Sequence, residues 1–84
     1  MSARYRYVLE DRAVDSLFSV TEEEQDFLLA YFRLLAANPQ TESDCWQIDD
    51  AGRKNFAETC GAFTVVHWTD HAAGEVRIVE FRRG

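Results

Sequence analysis

Polar and apolar positions alternate at the start of the chain. Tyr5, Tyr7 and Leu9 fall on one side, Arg4, Arg6 and Val8 on the other. A period of two with aromatic and β-branched residues predicts a strand. Its two arginines suit a sheet edge, where charge discourages pairing with another chain. The period then changes. Asp11 is a candidate N-cap for a short helix carrying Ala13, Val14, Leu17 and Phe18. Thr21 with Glu24 three residues on has the capping-box pattern, and Glu22, Glu23 and Glu24 suit the positive end of a helix dipole. A second helix is predicted from Thr21 to about Ala37, ended by Asn38-Pro39, because the residue before proline avoids the helical region.

That second helix is apolar on two sides. Phe27, Leu28, Tyr31, Leu34 and Leu35 form one stripe, and Leu29, Phe32 and Ala36 a second. A surface helix needs one stripe about 100° wide. The extra surface is expected to lie under the first helix, with a partner protein as the alternative. Gln40–Asp44 reads as a loop, Cys45–Ile48 as a short strand, and Asp49–Gly52 as a turn.

Three β-type runs follow, split at Gly61 and at His71–Gly74. In the first, Lys54, Phe56, Glu58 and Cys60 share a face, with Arg53, Asn55, Ala57 and Thr59 opposite. In the second, Phe63, Val65 and His67 alternate with Thr64, Val66 and Trp68, so both faces carry apolar groups, as in a central strand. In the third, simple alternation puts Val76 and Ile78 on one face, Val79 and Phe81 on the other. A meander of this kind sets Lys54 and Arg82 at opposite rims. If Glu58 faces the core it needs a partner, which Lys54 or an arginine of a neighbouring strand could supply. A bulge near Gly61 would instead turn it outward. Helices grouped before antiparallel strands predict an α+β two-layer sandwich, an antiparallel sheet packed on a helical hairpin in the order β-α-α-β-β-β with a further strand.

Composition narrows the class. Eighty-four residues, 46% of them apolar and 13% aromatic, suit one small packed domain over residues 1–84. No apolar run approaches the roughly 20 residues of a membrane span, and the opening arginines lead into a strand pattern, not a signal peptide. A cytoplasmic location with reduced Cys45 and Cys60 is the expectation. The net charge of −6 argues against a general nucleic-acid binder. It is unevenly spread: residues 1–52 hold four Arg/Lys against eleven Asp/Glu, residues 53–84 five against four. The spacings of Cys45, Cys60, His67 and His71 match no zinc motif, so no metal or other cofactor is expected.

Taken together, several features resemble the RelE/ParE superfamily, the toxin subunits of bacterial type II toxin–antitoxin pairs. They are the Arg4-Tyr-Arg-Tyr-Val-Leu9 opening, the Ala13…Leu17 helix, the Leu35-Ala-Ala-Asn-Pro39 helix end, and Cys60-Gly-Ala-Phe-Thr-Val-Val66 leading into His67. The Val76-Arg-Ile78 strand and the Arg82-Arg83 finish complete the set. The resemblance implies a cognate antitoxin partner laid across the helices and sheet. In the RelE branch it implies ribosome-dependent messenger-RNA cleavage, with basic side chains stabilising the phosphorane. In the ParE branch it implies binding to DNA gyrase without bond-making chemistry.

The sequence departs from the RNase pattern. Thr64 stands where the family places an arginine, Ala57 and Thr59 where it tends to carry basic residues, and the chain ends at Gly84 where a C-terminal aromatic or histidine often follows. The candidate catalytic residues are therefore Lys54, Arg82 and Arg83 for charge stabilisation, with His67 for proton transfer. Arg53 and Arg77 are candidate binding residues. The leading expectation is a ParE-like toxin. A repurposed protein-interaction module, which could be a homodimer, and a weak endoribonuclease are the alternatives.

Overall fold

The computed structural model describes residues 4–84, so residues 1–3 of the expected domain lie outside the described residues. The elements run β1 (Arg6–Leu9), α1 (Asp11–Leu17), α2 (Glu22–Ala37), β2 (Cys45–Ile48), β3 (Lys54–Cys60), β4 (Phe63–Asp70) and β5 (Glu75–Arg83). They build a five-stranded sheet in the order β1-β5-β4-β3-β2, with both helices packed on one face. The α+β order matches the expectation. The sheet is mixed, not antiparallel throughout, because β1 pairs parallel to β5. The reason is the length of the connections. β2 through β5 are joined by short turns that force antiparallel neighbours, whereas the two-helix connection after β1 leads to β2 at the opposite edge of the sheet, so β1 and β5 meet with no turn between them and can run parallel.

Local chemistry sets the element ends. The Thr21–Glu24 capping box forms with both hydrogen bonds in place. α1 begins one residue differently from the sequence pattern: Glu10 is the N-cap and Asp11 the first helical residue. The Glu10 side chain makes no cap bond. It instead accepts from Arg77 Nε at 2.9 Å and Trp68 Nε1 at 3.3 Å. Gly61, at φ +60°, closes the β3–β4 turn against the ring edge of Phe27.

The core draws on both stripes of α2. Leu28, Phe32 and Leu35 are buried against Val65, Val76, Ile78 and Phe81. Phe81 belongs with Val76 and Ile78, contrary to simple alternation. The register jumps from Val66↔Glu80 to His67↔Ile78, so Val79 is the extra residue of a β-bulge. The bulge resets the period and brings Phe81 back under the helices. The expected cover for the remaining α2 surface is absent. Phe27 and Leu34 are 50% and 61% exposed, and Phe18 beyond α1 is 82% exposed. Among the described residues no helix is long and apolar enough to cross a membrane.

Candidate functional site

The strand register divides the candidate cations between two ends of the sheet. Arg82 pairs with Thr64 and Arg83 with Phe63, while Phe56, two residues after Lys54, pairs with His67. Lys54 and Arg82 are thus about five residue rises apart along the strands, about 17 Å. As the meander pattern implies, they do not converge on one site.

At the Arg82 end, the helix-free face of the sheet is floored by Ala57, Thr59, Thr64 and Val66. The arginines on and around it are tied to carboxylates. Arg82 Nη1 donates to Glu80 at 3.0 Å. Arg83 reaches over the Phe63 ring to grip Glu24 with both terminal nitrogens, at 2.6 and 2.9 Å. That grip is the largest cause holding the Glu24 carboxyl down to about 2. Toward the other end of the same face, beside Trp68, Arg77 is held by Glu10 and Glu75, at 2.9 and 2.8 Å. Charge stabilisation needs uncommitted positive groups aimed at one point. Here each guanidinium already faces an anion.

The other rim is built differently. The Asp49 carboxylate accepts from the backbone of Ala51 and Arg53 and from the side chains of Arg53 and Asn55. These bonds, the Asn55 amide first, hold its carboxyl down to about 2. They also aim Arg53 so that its guanidinium lies 4.4 Å from the Trp68 ring centre. Lys54 Nζ lies 4.2 Å from the centre of Trp46 and 5.5 Å from that of Phe56. No carboxylate lies within ion-pair distance of Lys54 among the described residues. A cleft of about 330 Å³ opens between these groups and the loop 39–42, with Thr69 and His71 on its far wall.

His67 is not placed for catalysis on the open face. It is 1% exposed, points toward the helices, and neither ring nitrogen has a hydrogen-bond partner. Burial lowers its pKa, opposed by Glu58, whose Oε1 lies 3.9 Å from Nε2. Glu58 does face the core side, but its partner is neither Lys54 nor an arginine. The Tyr31 hydroxyl of α2 donates to Oε2. Burial and that carboxylate push the phenol pKa well up, so Tyr31 remains a donor. Sequence spacing gave no hint of this pair, whose members stand 27 residues apart on a helix and a strand.

Cys45 is an exposed thiol and Cys60 a buried one. Cys45 pairs with Ala57 and shares its face, while Cys60 shares the helix-side face with Glu58, so the two thiols lie on opposite sides of the sheet. Burial, then Glu58, pushes the Cys60 thiol up. Among the described residues no three His, Cys, Asp or Glu side chains converge to hold a metal ion.

No family model and no curated protein matches the sequence. The fold does have solved counterparts. A chain of the archaeal RelE–RelB complex from Pyrococcus horikoshii OT3 superposes with a TM-score of 0.74 at 13% identity, over 96% of each chain. A chain of the toxin–antitoxin complex RelBE2 from Mycobacterium tuberculosis does so with a TM-score of 0.74 at 12% identity, over 98% of this chain and 100% of that one. Two helices on a five-stranded mixed sheet, in this order and over nearly the whole chain, make this the α+β fold of the RelE toxin structures.

Proposed function

We propose that the chain is a toxin-like subunit of a type II toxin–antitoxin pair that acts by binding its target, as ParE-like proteins do, and is silenced by a cognate antitoxin. The fold shared with chains of two toxin–antitoxin complexes supports the first part. One observation carries the second: the helix-free face has Ala57, Thr59 and Thr64 on its floor, and its arginines Arg77 and Arg82 are paired with Glu10, Glu75 and Glu80. Such a face supplies little free positive charge for a phosphorane or for ribosomal phosphates. The net charge of −6 works against both.

Expression of the chain without its antitoxin is expected to slow bacterial growth, and the antitoxin is expected to restore it. In a translation extract the protein is expected to leave messenger RNA intact. Cleavage that disappears in Arg82→Ala with Arg83→Ala would replace the binding mode with the endoribonuclease one. Unimpaired growth at high expression would remove the toxin reading altogether.

A second reading, a repurposed protein-interaction module, is favoured by the exposed apolar groups. Phe27 and Leu34 on α2 and Trp46 and Ile48 on β2 are each at least half exposed. Grouped apolar exposure of this kind marks contact surfaces. It fits a module that still binds a partner but does not slow growth.

A further inference from the structure

We infer that the cleft between loop 39–42 and the Arg53–Lys54 rim is a binding site for a small planar anion with the chemistry of a nucleoside monophosphate. This is independent of the toxin reading, because it uses the end of the sheet away from Arg82. The cleft, at about 330 Å³, is at the small end of the roughly 300–1,000 Å³ range of ligand pockets. Its walls carry the two components such a ligand needs.

The first component is positive charge, Lys54 having no ion-pair partner among the described residues. Lys54 is poised over Trp46 and Phe56. Arg53 spends Nε on Asp49 and lines the cleft as well. His71 Nδ1 is engaged by the Tyr5 hydroxyl, and that bond orients the ring on the cleft wall. A phosphate received by Lys54 and Arg53 gains charge-assisted hydrogen bonds.

The second component is a flat surface. The half-exposed Arg53 guanidinium lies on the Trp68 ring at 4.4 Å on the cleft wall, and a planar ring stacks on such a guanidinium plane, with the Phe56 ring on the other side of the sheet end lining the cleft. Glu42 closes the loop side. A carboxylate there accepts from sugar hydroxyls or a ring amine and repels further phosphates, which selects one phosphate over a chain of them.

The chain holds two tryptophans, Trp46 under Lys54 and Trp68 under Arg53, so intrinsic fluorescence reports on both cations. Titration with AMP at low salt is expected to change that fluorescence saturably, with calorimetry giving the same dissociation constant. Adenosine and inorganic phosphate, each offering one component, are expected to bind at least about tenfold more weakly. Lys54→Ala, an exposed substitution, is expected to weaken AMP binding by at least about tenfold. Arg12→Ala, on the exposed side of α1, leaves it unchanged. The proposal is overturned by any of three results: no saturable change with AMP into the millimolar range, equal binding by Lys54→Ala and the parent, or tighter binding of an RNA oligonucleotide with a salt dependence spanning several phosphates.

Discussion

Replacing Tyr31 by phenylalanine removes one oxygen and tests the bond that ties α2 to β3. In the folded chain that hydroxyl donates to Glu58 Oε2, and the other Glu58 oxygen faces buried His67 at 3.9 Å. Without the hydroxyl, a carboxylate whose side chain is 18% exposed loses its hydrogen-bond donor. A hydrogen bond to a charged group contributes about 1.5–3 kcal/mol. Water reaches part of Glu58, so the lower end, about 1.5–2 kcal/mol, is the expected loss. For a domain of this size that lowers the midpoint of thermal unfolding by about 6–16 °C, at about 4–8 °C per kcal/mol. Urea and thermal unfolding, followed by circular dichroism, measure it.

The double variant Tyr31→Phe with Glu58→Leu separates this bond from general packing. Removing both partners relieves the orphaned charge, so the double variant is expected to be more stable than the sum of the single losses implies, by about 1 kcal/mol or more. A Tyr31→Phe cost below about 0.5 kcal/mol, or strictly additive losses, would refute the reasoning, because the pair would then contribute no coupling.

Acid is expected to weaken the fold before its carboxylates titrate. His67 has a folded pKa below its ordinary value of 6.5, with burial the first cause. The unfolded chain therefore binds the extra proton, and stability that is complete above about pH 6.5 falls as the pH drops below it. Denaturant midpoints from about pH 5 to 7 should show this slope in the parent and a flatter one in His67→Gln. Gly61→Ala should cost about 1–2 kcal/mol in the same assay, since a Cβ at φ +60° is strained and would stand 3.0 Å from the Phe27 ring. Adding Phe27→Ala should return the steric part and leave the backbone part. A thiol reagent should label Cys45 rapidly under native conditions and Cys60 only at the rate of opening, since one is exposed and the other buried.

The capping box at Thr21, the end of α2 at Asn38-Pro39 and the turns around Gly52, Gly61 and Gly74 follow from short-range chemistry. For that reason the element order could be read directly from the residues. Spacing along the strands pointed to opposite rims for Lys54 and Arg82, and the strand register places them there. The sequence alone further determined what the open face lacks: Ala57, Thr59 and Thr64 carry no charge wherever they point.

Tertiary structure decided the rest. The bulge at Val79 depends on pairing with β4, and only that pairing moves Phe81 into the core. The parallel β1–β5 pair joins the first strand to the last, which no local connection links. Tyr31 meets Glu58, Glu24 meets Arg83 and Glu10 meets Arg77 across separations of 27, 59 and 67 residues, beyond any local pattern. Those pairings consume the arginines that looked free in the sequence. Lys54, held over two aromatic rings by strand pairing, keeps a charge with no carboxylate within ion-pair distance among the described residues. Local propensity acts over a few residues, so it fixes where elements begin and end. Which charges cancel is fixed only when sheet register and helix packing bring distant side chains within reach.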